Sequence, residues 1–399
     1  MHRRFFAATL IVFIASLLFA HHSLATKDSL KTVVSIIVKS VPDSVIESRL
    51  DLTSSDMVQA FKKGRYEEGA SSAAPTDTFI ILRTTPEKHF RYEASGTLWD
   101  EELGKRFVLP AKAAEAMRSY AAVLRGRHYG KLIAWNNAQH VFPRKSIFSI
   151  TDMVTGLTFR VQRRAGSAHA DVQPITKKDT AIMKQIYSDG WSWKRKAVWV
   201  HSGNEWVAAS MNGMPHGGDG IPDNDFSGHF CVHFLDSTTH RSDHPDLAHQ
   251  LMIHKSAGEL RSYMAAASPR ILAESFIEGL DHQDMHIIDL TSEGVSRETR
   301  DLVLQEMKDL SSIQVHKEQQ SRKKALTKND TAPEALNADI RLMVTLQKKG
   351  LQKQNRAFLF TFRRETIQSP WQMSDIKLDD LKKPKTKADE KVKSKKRAR

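Results

Sequence analysis

The chain has 399 residues, of which 40% are hydrophobic and 27% charged, and its formal net charge is +14. This composition is typical of a folded globular protein and excludes a chain that is disordered throughout. Its single cysteine excludes an intramolecular disulfide. At about 100 to 200 residues per domain, the length predicts two or three domains.

The N-terminus, residues 1–25, has the pattern of a secretory signal peptide. A basic start at residues 2–4 precedes an apolar run at residues 5–20, and small residues follow up to Ala25. We therefore predict export to the cell surface or wall, with cleavage near Ala25. An uncleaved anchor is the alternative, because the run is only slightly shorter than the roughly 17 to 25 residues of a membrane-spanning helix. Such an anchor would be the only attachment to a membrane.

Two further segments are predicted before the centre of the chain. A small α+β module covers residues 26–98, and a helical connector covers residues 99–131. The evidence for them is hydrophobic patterning and helix propensity. The predicted elements are strands at 32–38 and 79–83 and helices at 54–62 and 111–125.

The central segment, residues 132–268, is predicted to be mainly β, because short alternating strands dominate it. Residues 269–380 are predicted to form a second small α+β module of the cystatin or NTF2 type, with a helix followed by strands. Residues 381–399 form a basic tail that cannot pack and is predicted to be disordered. The predicted central elements are strands at 146–152, 157–163, 197–202, 206–211 and 229–235 and helices at 176–187 and 246–267.

The segment around Cys231 alternates strictly between apolar and polar residues. On a strand, this period of two places Phe230 and Val232 on a core face, and His229, Cys231 and His233 on the other face. We therefore expect the thiol to face a cleft or solvent. A thiol needs a base or a cation to become a good nucleophile, and the two histidines beside Cys231 on the strand are candidates.

A third candidate is His216, in the glycine-rich loop before the strand. The His216-Gly217 pair, a spacer over 218–228 and the strand from His229 to His233 together resemble the catalytic domain of the L,D-transpeptidases of peptidoglycan. The resemblance covers about 135–260 and implies a mainly β catalytic fold between the two modules.

The resemblance also implies roles for individual residues. Cys231 matches the nucleophile, His216 the activating base and His229 the second active-site histidine. The amides of Cys231 and Phe230 would hold the oxyanion. The predicted rim of the substrate site consists of Phe230, Gly217, His233 and Asn212. The sequence departs from the family pattern where Gly228 replaces serine, Phe230 replaces glycine and His233 replaces arginine.

The same residues allow a second interpretation, a zinc site formed by His229, Cys231, His233 and His240, because imidazole and thiolate both suit zinc. The resemblance implies no cofactor. His169 and Asp171 are predicted to be structural or rim residues. The aromatic cluster could stack on sugar rings or pack in the core or at a domain interface, and its members are Trp191, Trp193, Trp199 and Trp206.

The predicted function is cysteine acyl transfer on peptidoglycan stem peptides through a Cys231 thioester. The alternative is a non-catalytic wall-binding or zinc-binding protein with the same fold. The predicted partners are peptidoglycan and anionic wall polymers that the basic tail could bind, and no specific nucleic acid.

Overall fold

The computed structural model describes residues 33–42, 44–68, 75–93, 95–188, 190–203, 205–218, 220–239, 244–316 and 334–380. The predicted signal peptide and basic tail lie outside these ranges. Within them the fold is mainly β: a seven-stranded sheet, a closed six-stranded barrel and a four-stranded sheet, with nine helices around them. None of these described helices combines the length and apolarity needed to cross a bilayer.

The seven-stranded sheet comes first in the chain. Its elements are β1 (Val34–Val38), β2 (Ser48–Leu52), α1 (Ser55–Lys63), β3 (Arg65–Glu67), β4 (Thr78–Leu82), β5 (Lys88–Tyr92), β6 (Leu98–Asp100), β7 (Lys105–Val108) and α2 (Ala111–His128). The strand order is β2-β1-β4-β5-β6-β7-β3. The predicted boundary at residue 98 was wrong, because β6 and β7 pair with β5 and β3 and complete this sheet. Such short strands give little periodic signal.

The barrel is the second unit. Its elements are α3 (Trp135–Val141), β8 (Ile147–Asp152), β9 (Thr158–Ala165), β10 (Ala170–Pro174), α4 (Lys177–Ile186), β11 (Lys196–Ser202), β12 (Glu205–Met211) and β13 (Phe230–His233). Their order around the barrel is β10-β13-β12-β11-β8-β9. Alternate side chains such as Phe159, Val200 and Phe230 fill the interior and are almost completely buried. Five of the six strands confirm the prediction, and β10 was missed.

The last unit packs helices on a four-stranded sheet. Its elements are α5 (Leu247–Ser256), α6 (Leu260–Ala266), α7 (Pro269–His282), α8 (Met285–Thr291), α9 (Arg297–Glu306), β14 (Leu310–Val315), β15 (Asn337–Lys348), β16 (Gln354–Arg363) and β17 (Gln372–Asp380). The predicted helix over 246–267 is two helices, because Gly258 between them has φ +71°. Helix α7 packs on β14 and β15.

Two hydrophobic cores hold the fold together. One fills the barrel, and the other is a continuous cluster that contains Ile36 of β1, Trp199 on the outer face of the barrel and Phe360 of β16. The first and last sheets, predicted as separate modules, therefore contribute to the same core.

Candidate active site around Cys231

Strands β13 and β10 place Cys231 beside an acidic residue. The two strands are antiparallel, and Asp171 pairs directly with Cys231. Phe230 and Val232, on either side of the cysteine, point into the barrel and are fully buried. Because side chains alternate along a strand, Cys231 and Asp171 share the outer face, and so does His169 just before β10.

The loop before β13 brings His216 back to the strand, as predicted. The His216 N–H donates to the carbonyl of His229 at 2.9 Å, and the His229 N–H donates to the carbonyl of His216 at 2.7 Å. Gly217 and Gly228 flank this bridge with φ of +73° and +91°. A Cβ on Gly217 would lie 2.1 Å from the His229 ring, and one on Gly228 would lie 2.4 Å from the His216 carbonyl oxygen. Glycine is therefore required at both positions.

This bridge sets His216 against the sulfur. His216 Nε2 lies 3.2 Å from Cys231 Sγ, while its Nδ1 lies 2.9 Å from the Met214 carbonyl oxygen. A carbonyl only accepts, so Nδ1 carries a hydrogen and Nε2 is the nitrogen that can take a proton from the thiol. The hydrogen bond to Cys231 raises the pKa of His216 above its ordinary value.

A second imidazole, His169, contacts the sulfur from the β10 side. The ring is 1% exposed, and its Nε2 lies 3.1 Å from Asp171 Oδ1. Its Nδ1 lies 2.8 Å from the carbonyl oxygen of Thr238. Burial lowers the pKa of His169, but the hydrogen bonds to Asp171 and Cys231 outweigh it and raise that pKa to about 10.

Both imidazole rings affect the pKa of the Cys231 thiol. Burial raises the pKa of Cys231, but the hydrogen bonds to His169 and His216 have the larger combined effect, and the net shift is downward. Hydrogen bonds to the charged form favour it. The arrangement therefore favours a thiolate, the form in which cysteine attacks carbonyl carbon.

His229, the second predicted active-site histidine, belongs to the same cluster. Its Nε2 lies 3.8 Å from Asp171 Oδ1, and its ring meets the His216 ring at a centroid distance of 4.6 Å in an edge-on arrangement. The three predicted catalytic residues Cys231, His216 and His229 are thus brought together.

The thiol is more enclosed than the sequence predicts. Cys231 is 5% exposed and His233 2%, so the outer face of β13 is neither a cleft nor solvent-facing. Helix α5 covers it at one end, where His249 stacks on His233 at 3.7 Å. The loop that carries His216 covers the other end. The expectation of an open polar face was wrong because it ignored this cover.

The predicted rim residues differ in position. Gly217 is exposed, but His233, Phe230 and Asn212 are buried. The Phe230 ring lies inside the barrel, and successive amides along a strand point to opposite edges, so its amide points toward β10, away from that of Cys231. The Asn212 N–H donates to the Cys231 carbonyl at 3.4 Å. Only Gly217 of this set is a surface rim residue.

No family model matches the chain, and no curated protein matches it. What the cluster does is therefore inferred from its geometry. Sequence reasoning missed the roles of His169 and Asp171, although the alternation of His169, Asp171 and Gln173 with apolar Ala170 and Val172 signals a strand.

Among the described residues, the potential metal ligands that cluster are His169, Cys231 and His233, within 4.8 Å of one another. The predicted zinc set had His229 in place of His169, and its fourth member, His240, lies outside the described ranges. The His169 and His233 rings are stacked at 4.4 Å with an interplanar angle of 13°. Nitrogen lone pairs lie in the ring plane, so two stacked rings cannot point at one ion. This packing does not fit a zinc site.

One exposed aromatic residue borders the site. Trp193 is 50% exposed, and its ring lies 5.2 Å from that of His216. Trp199 is buried in the hydrophobic core, and Trp191 packs edge-on against Phe226. Of these three tryptophans, Trp193 alone offers a free face next to the candidate catalytic residues.

A cleft of about 770 Å³ lies elsewhere, between the first sheet, α2 and the turn from α5 to α6. Two of its arginines form ion pairs within their own units, Arg125 with Asp77 and Arg261 with Glu293. The same arginines also donate across the cleft, Arg125 to the Gly258 carbonyl at 2.8 Å and Arg261 to the Pro75 carbonyl at 2.7 Å. We interpret these two hydrogen bonds as contacts that join the units.

Proposed function

We propose that the chain is an exported cysteine acyl-transfer enzyme that acts on peptidoglycan stem peptides. The observation that carries this proposal is the 3.2 Å distance between His216 Nε2 and Cys231 Sγ, with the tautomer of His216 set by Met214. A nucleophile and a base within hydrogen-bonding distance are what acyl transfer through a thioester requires.

In the proposed reaction, His216 takes the thiol proton and the Cys231 sulfur attacks a peptide carbonyl of the stem. As the tetrahedral intermediate collapses, the C–N bond breaks, and His216 returns the proton to the leaving amine of a terminal D-amino acid. An amine of a second stem then loses its proton to His216 and attacks the thioester, which restores the thiol. Water in place of that amine would give hydrolysis.

The amide of Cys231 is the proposed donor to the oxyanion. Substrate would approach on the side of His216 and Gly217, where the surface is open, and Trp193 would bind the part of the stem or glycan beside the scissile bond. This route has to expose a sulfur that is now almost covered, so binding would involve movement of the loop.

The wider interpretation belongs to the same proposal. The barrel would be a divergent L,D-transpeptidase-like catalytic domain, and residues 269–380 a cystatin-like or NTF2-like module. The signal peptide would direct export, and the basic tail would retain the protein on anionic wall polymers.

The test is to incubate the full mature chain with purified peptidoglycan and to measure the mass of the peptide that contains Cys231. The expected result is an added acyl group on that cysteine, absent in Cys231→Ser and much slower to form in His216→Gln. The lone cysteine makes the assignment unambiguous.

An unmodified cysteine in a folded sample that still binds peptidoglycan would contradict catalysis and favour the non-catalytic wall-binding protein. Stoichiometric zinc in the purified chain, released together with a gain of thiol reactivity, would favour the zinc-binding protein instead.

A further inference from the structure

The two imidazoles at the sulfur differ in what their nitrogens face. His216 has one nitrogen on a carbonyl oxygen and the other on Cys231 Sγ. A thiol can donate or accept, so His216 can be neutral or protonated without losing either contact.

His169 has no such freedom. Its Nδ1 lies 2.8 Å from the Thr238 carbonyl oxygen and its Nε2 3.1 Å from Asp171 Oδ1. A backbone carbonyl oxygen and the oxygen of an ionised carboxylate only accept, so with Asp171 ionised each contact is a hydrogen bond only if each nitrogen carries a hydrogen. This requires the imidazolium form. A ring flip would place Cδ2 and Cε1 at these two positions and lose both hydrogen bonds, so the two acceptors also fix the orientation of the ring.

The surroundings of His169 support a fixed cation. The ring is 1% exposed and is covered on one face by His233. His233 and its neighbour His249 are deeply buried, and burial lowers the pKa of both well below the ordinary value, so neither competes as a cation. Asp171 is 5% exposed, with Oδ1 3.9 Å from Cys231 Sγ. A buried carboxylate that close to a thiolate is tolerable only with a cation between them.

We propose that His169, held protonated by Asp171, is the permanent counter-ion that stabilises the thiolate form of Cys231 once His216 has taken the thiol proton, while His216 only carries protons. This proposal rests on the proposed function for the role of His216, but the part that concerns His169 is a property of the resting protein. His169 contacts the reacting sulfur, and Asp171 is a positioning residue that acts through His169.

The groups that set the charge at the sulfur come from every side. Strand β10 and its preceding residue supply Asp171 and His169, the loop supplies His216, the start of β13 supplies His229, and His233 lies behind His169. Of these, only the His169–Asp171 pair is removed from solvent and also contacts the sulfur.

The experiment is an ultraviolet titration of thiolate absorbance in the full chain, with Cys231→Ser subtracted to remove the tyrosine signal. This method needs no access to the sulfur. We expect His169→Gln to raise the pKa of Cys231 by more than one unit, which below both pKa values lowers the thiolate fraction more than tenfold. His216→Gln should shift it by less than one unit. Asp171→Asn should shift it in the same direction as His169→Gln.

A His216→Gln shift equal to or larger than that of His169→Gln would overturn the proposal, as would an unshifted titration in both His169→Gln and Asp171→Asn. Circular dichroism checks folding, and Asp171→Asn serves alone if His169→Gln does not fold. In acylation assays, His169→Gln should move the pH profile toward alkaline pH, while His216→Gln should lose rate at every pH. The titration uses no substrate, so it tests the role of His169 even if no acylation by peptidoglycan is seen. Acylation without the expected shift in the titration would contradict only the role of His169.

Discussion

The candidate site has two halves that are built differently. One half is strand-borne: Cys231, Asp171 and His169 are held by the pairing of β13 with β10 on the wall of the barrel. The other half is loop-borne: His216 reaches the sulfur only through a two-hydrogen-bond bridge flanked by glycines. The strand half is almost fully buried, whereas His216 and its neighbour Gly217 reach the surface.

This difference suggests that the strand half contributes mainly to stability and that the loop half contributes mainly to chemistry. Groups on packed strands are held in place by the core, and such groups suit a fixed charge. Loops are less densely packed and open at lower cost in free energy. In the proposed reaction, the half that exchanges protons with substrate is the half that can move. Substitutions in the two halves should therefore have different consequences.

The largest expected effect is on stability in the strand half. Phe230→Ala removes a fully buried ring from the barrel and should lower the free energy of unfolding by about 3–5 kcal/mol. Phe226→Ala, in the loop, should cost less, because the loop can relax toward the cavity. Urea denaturation of both variants measures this, and equal losses would contradict the comparison.

The next effect is on activity in the loop half. Gly217→Ala places a Cβ 2.1 Å from the His229 ring at φ +73°, so the bridge must shift and His216 must leave its position. We expect acylation of Cys231 to slow by at least about 100-fold, since small displacements of catalytic groups cost that much. Gly218→Ala is the matched control, because no atom lies within 4 Å of its Cβ. Similar rates in the two variants would argue against this role of the bridge.

The smallest effect concerns the open rim. Trp193→Ala should raise the KM for peptidoglycan about fivefold with little change in kcat, since an aromatic contact contributes about 1 kcal/mol. Trp206→Ala is the control, because Trp206 is 44% exposed but stacks on His201 at 4.3 Å instead of on a catalytic residue. An unchanged KM in Trp193→Ala would remove Trp193 from the substrate site.

Much of the fold follows from local patterns. The alternation in β8, β9, β11 and β12 and the propensity of α2 are sufficient to place those elements. Helix α4 was also placed, and Thr176 forms a capping box with Asp179 at its start. The boundary at residue 98, the break at Gly258 and the shared core were not predictable in this way, because they depend on pairing and packing between distant segments.

The site was predictable in part for the same reason. His229 and Cys231 lie on one strand, and the glycine pattern indicated that His216 returns to it. His169 lies 62 positions before Cys231 in the sequence and meets it only because β10 pairs with β13. Local periodicity shows which face a residue occupies, but not which strand lies next to it.

The core shared by the first and last sheets has a consequence for folding during synthesis. Ile36 is made early and Phe360 late, and each buries its surface in the same cluster as Trp199. The apolar surface of the first sheet therefore stays exposed to solvent until the strands of the last sheet have been synthesised. A barrel expressed without the flanking sheets would likewise expose the apolar surface around Trp199, which favours aggregation.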